Sequence, residues 1–461
     1  MSAPSYAAVL GSLQARGRYG IRLGLGRTRA LLRAMGSPER ESRGPLIGGT
    51  NGKGSAQAIV AACLAAGGYR VGQTPKPHLV SYRERIVIDG RPIAPTDFAG
   101  LVAEVLEVAD HVARRHGPPT EFEVLTVAAL TWFVRRDVDV AVVEVGLGGR
   151  LDATNAWDGG VAAITNVDFD HMAQLGPTLT AIGREKAAII KPGDLAVTAA
   201  DGEGLAVIRR RARRLRVSLD EVTPPSVLAM DRHGLQLRDP ELGELRLALV
   251  GRHQAANAGL AFGVLRALDR AGIASVTPEA IRAGCAAVRW PGRMELMRPR
   301  GGPGQGVEVL LDGAHNAAGA AALAAALDEI RPSLAPGRPS LLLAMMADKE
   351  VAKVVAALAG SATLREARVV ATAVDVPRAL DPATLAAAWS GGPADRDPAS
   401  MGGDRGRHGG GSVDVEAVLG CAVALERALE LARAAGGPLI VAGSLYLVGE
   451  VRGRLLRPER P

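Results

Sequence analysis

Apolar runs rich in β-branched residues alternate with Ala- and Leu-rich helical stretches along most of the chain. This alternation is typical of a parallel sheet covered by helices. The run 140–143 is apolar at every position, as expected for a strand buried on both faces of a sheet. The pattern therefore predicts an α/β fold, and its clearest strands in the first part of the chain are 45–49, 138–145, 161–167 and 195–198.

The alternation breaks at 298–306, where the sequence Arg-Pro-Arg-Gly-Gly-Pro-Gly-Gln-Gly has no periodicity and many turn-forming residues. It then resumes, with strands predicted at 308–311, 340–345, 368–374 and 438–442 and helices at 317–330 and 414–435. We therefore expect a domain at 1–297, a linker at 298–306 and a smaller α/β domain at 307–461. The glycine-rich segment 391–411 has no apolar pattern and is predicted to be a flexible surface loop.

The composition is that of a soluble globular enzyme, with 461 residues, 48% of them hydrophobic and 22% charged. The formal net charge of +7 attracts anions in general. The chain has one cluster of arginines, at 209–216, which is flanked by apolar residues and predicts a solvated helix face. Because no aromatic residues interleave with these arginines, we expect no nucleic-acid partner.

Three cysteines, Cys63, Cys285 and Cys421, have no C-x-x-C spacing, which argues against a disulfide framework and a zinc site. No secretory signal pattern is visible at the N-terminus. The longest apolar run, 124–134, is too short to span a bilayer. We therefore expect a cytoplasmic protein that makes no membrane contact.

The segment Thr50-Asn51-Gly52-Lys53-Gly54-Ser55 connects the predicted strand 45–49 to a helix at 56–66. Glycines let backbone N–H groups turn toward one point, and a helix N-terminus adds partial positive charge there. Lys53 can then reach phosphate oxygens and Ser55 can bind Mg²⁺. The spacing departs from G-x-x-x-x-G-K-[ST], since Gly54 stands where Ser or Thr is expected. The combination of strand, lysine and helix still favours phosphate binding over a purely structural turn.

Two further clusters follow predicted strands. Glu144 ends one strand, where ligands bind in open α/β sheets, and its carboxylate can hold Mg²⁺. His171 closes the cluster 165–171 after the next strand. Taken alone, such a Glu is as often a capping residue, and such a His is more often structural. Lys186, in a helical stretch, has no special role by composition.

These clusters, in this order, resemble the folylpolyglutamate synthase/dihydrofolate synthase family of the Mur ligase superfamily. The resemblance rests on 49–55, 144–155 and 182–189, on Pro77-His78-Leu79, and on Asp312-Gly313-Ala314-His315-Asn316, and it extends over nearly the whole chain. It implies a P-loop ATPase domain with a mostly parallel sheet and a smaller Rossmann-like C-terminal domain, with the active site between them. It also implies a monomer that joins glutamate to dihydropteroate or a folate through an acyl phosphate, with release of ADP.

The resemblance implies roles for individual residues. The implied ATP contacts are Asn51, Gly52, Lys53, Gly54, Ser55, Asn257, Arg293 and Asp312. The implied ligands of two Mg²⁺ ions are Ser55, Glu144, His171 and Lys186, the last as a carbamate. The implied contacts of the pteroate and glutamate are Thr120, Glu121, Phe122, Glu123, Leu151, Asp152, Ala153, His315 and Ser444. Lys53, Lys186 and His315 are the implied catalytic residues.

One departure from the family is chemically important. Family members carry a metal-binding Ser before the Pro-His that matches Pro77-His78, and here the residue is Lys76. An ammonium cannot coordinate Mg²⁺, so Lys76 either replaces part of the metal's charge or marks another substrate. This departure motivates one alternative, a Mur-type ligase for a non-folate carboxylate. A further alternative, a nucleotide-binding regulator without turnover, is opposed by the presence of Lys53, Glu144, His171, Lys186 and Asp312. Ala317 also replaces a usual Pro, which we expect to be a mild backbone change.

Overall fold

The computed structural model describes residues 4–20, 22–391 and 415–456. In chain order, the α-helices are α1 (Tyr6–Gln14), α2 (Gly26–Ala34), α3 (Lys53–Ala66), α4 (Pro95–His116), α5 (Glu121–Arg135), α6 (Met172–Leu175), α7 (Leu179–Ala187), α8 (Gly202–Leu215), α9 (Gln254–Arg270), α10 (Pro278–Ala287), α11 (Ala317–Ile330), α12 (Val351–Ala359), α13 (Ala362–Arg365), α14 (Pro382–Trp389), α15 (Cys421–Ala435) and α16 (Leu445–Leu456). No helix in the described ranges is both long and apolar enough to cross a membrane.

The strands are β1 (Gly44–Gly48), β2 (Val71–Thr74), β3 (Val87–Ile88), β4 (Arg91–Pro92), β5 (Val140–Glu144), β6 (Gly160–Ile164), β7 (Leu195–Thr198), β8 (Ser218–Glu221), β9 (Ser226–Asp231), β10 (Gly234–Asp239), β11 (Gly243–Leu247), β12 (Glu295–Met297), β13 (Val309–Leu311), β14 (Ser340–Leu343), β15 (Arg368–Ala371), β16 (Val415–Ala417) and β17 (Leu439–Ala442). Within the described ranges they form an eight-stranded, a three-stranded and a six-stranded sheet.

The chain divides into two compact units. Unit 1 comprises 1–228, 236–248 and 253–289, and unit 2 comprises 229–235, 249–252 and 290–461. The segment 290–297, which the sequence assigns to the first domain, lies in unit 2, because β12 pairs antiparallel with β13.

The large sheet of unit 1 has the strand order β4-β3-β2-β5-β1-β6-β7-β8. From β2 to β8 all neighbours are parallel, and β3 and β4 add an antiparallel edge. β1 and β5 are buried at every position, as expected for central strands covered on both faces. The carboxyl ends of β2, β5, β1 and β6 therefore lie side by side at one edge, which is where ligands bind in such sheets.

Unit 2 contains the six-stranded sheet, with the order β12-β13-β17-β14-β15-β16. Its strands are parallel except β12. A core of aliphatic side chains, including Leu310, Leu341, Val369 and Ile440, packs the strands against helices. The predicted α/β fold with two mostly parallel sheets is confirmed.

One predicted helix begins in the wrong place. The described part of 414–435 starts with strand β16, and α15 begins only at Cys421. Val415–Ala417 pairs in parallel with β15, and Gly420 adopts φ 88°, which separates the strand from the helix. Apart from Gly391, the predicted loop 391–411 lies outside the described residues.

Candidate active site

The loop 49–52 connects β1 to α3 and is called the phosphate loop after its expected role. Two glycines with positive φ shape it. A Cβ on Gly49 (φ 139°) would lie 1.7 Å from Thr165 Oγ1, and one on Gly52 (φ 81°) would lie 2.1 Å from Asn257 Oδ1. No residue with a side chain fits either position without displacing its neighbour. α3 consequently begins at Lys53. The N–H groups of its first turn have no acceptor within the helix and form a natural anion site.

The loop is also tied to the segment that follows β6. The Asn51 N–H donates to Asn166 Oδ1 over 2.9 Å. Thr50 Oγ1 donates to the Asp168 carbonyl over 3.1 Å, and the Asp168 N–H donates back to Thr50 Oγ1 over 3.0 Å. Asn166 was not among the predicted site residues, although its position directly after a buried strand is a usable signal. These bonds fix the loop between two neighbouring strand ends.

Lys53 and Lys186 meet at the phosphate loop. Lys53 Nζ donates to the Gly49 carbonyl at 3.1 Å and to the Thr50 carbonyl at 2.9 Å. Lys186 Nζ, from α7, donates to the same Gly49 carbonyl at 2.7 Å. Burial and then the charge of Lys53 lower the pKa of Lys186 to about 7, against the opposing effect of Asp170. The structure thus gives Lys186 a place in the site that composition alone did not.

The predicted metal ligands lie on both sides of the loop. Ser55 and Glu144 are buried, and β1 lies between β5, which carries Glu144, and β6. His171 comes after β6 with φ 51°, and its side chain is 37% exposed. No cluster of three or more His, Cys, Asp or Glu residues suited to a metal occurs in the described parts of the chain. Hydroxyl and carboxylate oxygens nevertheless suit Mg²⁺, which takes most of its ligands from water and substrate phosphates.

Two of the predicted substrate residues have structural partners. Thr120 and Glu123 form a capping box at the start of α5. The Glu123 carboxylate is buried and also pairs with Arg27, at 3.0 Å, and accepts from Thr28 Oγ1 at 3.5 Å. This carboxylate therefore orients α5 and its neighbour α2, whereas Glu121 and Phe122, on the same turn, are only half-buried.

The second predicted substrate segment is held by Asp152. Its Oδ2 accepts from the Leu147 N–H at 2.8 Å, and its Oδ1 accepts from the Thr154 N–H at 3.0 Å. Ala153 is buried and Leu151 is half-buried. The segment is therefore a rigid turn directly beyond Glu144.

Lys76 follows β2 at the same sheet edge. Its N–H donates to Glu144 Oε2 at 3.0 Å, and its Nζ lies 4.1 Å from the centroid of the Phe122 ring. Burial lowers the pKa of Lys76 to about 8, although the charges of Asp152 and Glu144 raise it. The residue that departs from the family pattern thus lies among the predicted metal and substrate residues.

Unit 2 brings four predicted residues to one edge of its own sheet. Asp312 follows β13 and Ser444 follows the adjacent parallel strand β17. The Asp312 carboxylate accepts from the N–H groups of Met294 and Ala314, both at 2.8 Å. Arg293 precedes β12 and lies against Gly313, while a His315 ring nitrogen lies 2.8 Å from the Gly313 carbonyl oxygen. These side chains form a second polar cluster, within unit 2.

Comparisons with known proteins identify the family of this chain. A Mur ligase middle domain model matches 47–265, and a Mur ligase, glutamate ligase domain model matches 292–445. The dihydrofolate synthase/folylpolyglutamate synthase of Bacillus subtilis is 34% identical over 73% of this chain and 79% of its own length. The chain belongs to the folylpolyglutamate synthase/dihydrofolate synthase family.

Other members of the family are similarly close. The dihydrofolate synthase/folylpolyglutamate synthase of Mycobacterium tuberculosis is 38% identical over 79% of this chain and 77% of its own length. The structure of Mycobacterium tuberculosis folylpolyglutamate synthase complexed with ADP and AMPPCP superposes with a TM-score of 0.82 at 32% identity, covering 98% of this chain and 99% of that one. The expected family and its fold are therefore confirmed.

The glycine constraint predicts that Gly52→Ala weakens binding of a non-hydrolysable ATP analogue by roughly tenfold or more, because the new methyl group collides with Asn257 and distorts the loop. Titration calorimetry measures this effect. Gly68→Ala is the matched control, since Gly68 has φ 87° but no atom within 4 Å of a built Cβ. Equal analogue affinity of the Gly52→Ala variant and the wild type would contradict the account.

The buried ion pair predicts that Glu123→Gln lowers the free energy of unfolding by about 3 kcal/mol or more, since the Arg27 charge loses its carboxylate partner and keeps only the Arg22 carbonyl. Denaturant unfolding measures this change. Glu104→Gln is the control, because the exposed Glu104–Arg135 pair is expected to contribute about 1 kcal/mol or less. If the two variants lose equal stability, Glu123 does not orient α5 as described.

Proposed function

We propose that the protein joins L-glutamate to the carboxylate of dihydropteroate or a reduced folate through an acyl phosphate, with release of ADP and phosphate. The proposal rests on one observation above all: Lys53 and Lys186 converge on the Gly49 carbonyl of the phosphate loop, beside Glu144. The names of the relatives supply the substrate class, and a related structure contains ADP and AMPPCP.

The reaction brings two anions together. A carboxylate oxygen of the acceptor attacks the γ-phosphorus, and the bond from that phosphorus to the β,γ-bridging oxygen breaks to release ADP. The amino group of glutamate then attacks the acyl carbon, loses a proton, and phosphate leaves. The N-terminus of α3 and the Lys53 ammonium offset the negative charge of the phosphates, so the chain acts mainly through positioning and electrostatics.

Mg²⁺ fits the donor set at this edge of the sheet. Ser55 and Glu144 would hold it, with His171 and a carbamate on Lys186 as candidates for a second ion. When bound, Mg²⁺ neutralises charge on the phosphoryl group that is transferred. Lys186 as a free ammonium cannot serve, because it carries no acceptor oxygen.

Three features support carbamylation of Lys186. Its amine is buried, it lies next to the Lys53 charge, and its pKa of about 7 leaves about half of it uncharged at neutral pH. The uncharged amine is the form that adds to CO₂. The product is a carboxylate, which would turn the repulsion between Lys186 and Lys53 into attraction.

An acceptor screen tests the proposed function. Purified protein with ATP, Mg²⁺ and glutamate should release ADP in the presence of dihydropteroate, dihydrofolate or tetrahydrofolate, and not when the acceptor is omitted. Lys53→Met should reduce this rate roughly 100-fold or more. No ADP release with any folate-type acceptor would remove the assignment. A nucleotide-binding regulator would bind the ATP analogue and release no ADP with any acceptor.

A second candidate function keeps the chemistry and changes the acceptor to a non-folate carboxylate. The observation that favours it is the Lys76 ammonium, which is shielded from solvent beside Phe122, a residue of the segment expected to contact the pteroate. Extending the screen to cell-wall and specialised-metabolite carboxylates separates the two candidates, since only one class of acceptor should support turnover.

Carbamylation predicts a carbamate signal in the ¹³C NMR spectrum of protein equilibrated with labelled bicarbonate. The signal should weaken as the pH falls below about 7, because protonation of Lys186 removes the reactive amine. Lys186→Arg should abolish both the signal and turnover while the protein stays folded. A Lys186→Arg variant with near-normal turnover would contradict this role.

A further inference from the structure

Lys76 carries a buried charge that the protein itself leaves without a hydrogen bond. Its Nζ is shielded from solvent and has no hydrogen-bond partner. An ammonium has three donors and no acceptor, and leaving it buried and unpaired is costly. Among the buried side-chain atoms without partners in the described residues, it is the only lysine nitrogen. A group of this kind indicates a missing partner.

The neighbours of Lys76 do not supply that partner. The Phe122 ring, 4.1 Å away, attracts the cation through its face and offers no oxygen. The Asp152 carboxylate is close enough to act on the charge, but its oxygens accept from Leu147 and Thr154. The nearby carboxylates and the ring therefore keep a cation in place without satisfying its donors.

The backbone fixes where Lys76 leaves the sheet edge relative to the phosphate loop. Lys76 is anchored beside Glu144 by its N–H, and it follows β2, which is separated from β1 by β5 alone. Neighbouring strands lie about 4.8 Å apart, so the ends of β2 and β1 are about 10 Å apart. Lys53 and Lys186 already occupy the loop itself. Lys76 is thus placed to bind an anion that approaches the phosphates, rather than to bind the phosphates themselves.

We propose that the Lys76 ammonium binds the acceptor carboxylate that attacks ATP, and is therefore a catalytic and specificity-determining residue for that substrate. This inference rests on the proposed function. Bound there, the carboxylate has its charge partly neutralised as it nears the triphosphate, and its oxygens fill the donors that the fold leaves open. Phe122 and Lys76 are both half-buried, so part of each side chain is open to a ligand at this edge of the sheet.

The test compares two ligands in two proteins. For an acceptor that the wild type turns over, equilibrium affinity is measured for the acid and for its neutral carboxamide. The wild type should prefer the acid roughly 10- to 100-fold, the range expected for a hydrogen bond between charged groups. Lys76→Met keeps an unbranched apolar side chain without the charge, and this variant should lose the preference. Its affinity for a non-hydrolysable ATP analogue should stay within about twofold of the wild type.

Lys353→Met is the matched control, because Lys353 is exposed and pairs with Glu350 on the surface. It should leave both affinities unchanged. If Lys76→Met does not fold, Lys76→Gln removes the charge and keeps one N–H donor group, and it should lose most of the acid preference. Thermal unfolding of each variant establishes that it is folded before binding is measured.

Two results would overturn the inference. One is a Lys76→Met variant that keeps the acid preference, and the other is a variant that loses affinity for the ATP analogue instead, which would assign Lys76 to the phosphates. Failure of the proposed function looks different, since the wild type would then release no ADP with folate-type acceptors. The acid and carboxamide comparison would in that case use the non-folate carboxylate found in the extended screen.

Discussion

The side-chain nitrogens of Lys53 and Lys186 donate to one carbonyl oxygen, that of Gly49, and the rest of the site depends on this contact. It places two lysine amines at the loop proposed to receive the phosphates, where two positive charges this close would repel each other. Burial first, and then the charge of Lys53, lower the pKa of Lys186 to about 7. A triphosphate at the N-terminus of α3 relieves the repulsion by supplying the missing negative charge.

The parallel sheet of unit 1 places the candidate site residues in a fixed order along its carboxyl edge. Moving across its carboxyl edge from β1 through β5 to β2, one meets the phosphate loop, then Glu144, then Lys76. The order matches the order of the proposed reacting groups: phosphates, metal-binding carboxylate, acceptor carboxylate. Local features hold these segments in place: the positive-φ glycines and the Thr50–Asp168 hydrogen bonds fix the phosphate loop, and the capping box fixes the start of α5.

Local patterns predicted much of the fold. Strand Leu195–Thr198 and helix Ala317–Ile330 have the bounds expected from their apolar spacing. The start of α3 was predicted three residues late: the helix begins at Lys53, directly after the left-handed Gly52, which lies against Asn257 in the fold. The helix expected from residue 414 was wrong at its start, because pairing with β15 draws 415–417 into a strand. Tertiary contacts decided both cases.

The site was only partly predictable, for the same reason. The phosphate loop was predicted from its glycine and lysine motif, and Glu144 was predicted from its position at the end of a strand. The hydrogen bond from Lys186 to Gly49 joins residues 137 positions apart, and no periodic pattern in the sequence predicts it. The ion pair of Glu123 with Arg27 and the unpaired ammonium of Lys76 likewise depend on how the chain packs. Sequence resemblance pointed to these positions, and the contacts show what surrounds each one.

In the proposed reaction, the acceptor carboxylate becomes an acyl phosphate before the amide forms. Labelling that carboxylate with ¹⁸O and analysing the released phosphate by mass spectrometry tests this claim directly. An acyl phosphate intermediate requires one oxygen of the carboxylate to leave with phosphate, so each phosphate formed from fully labelled acceptor should carry one ¹⁸O atom. Phosphate free of ¹⁸O, released together with amide product, would contradict it.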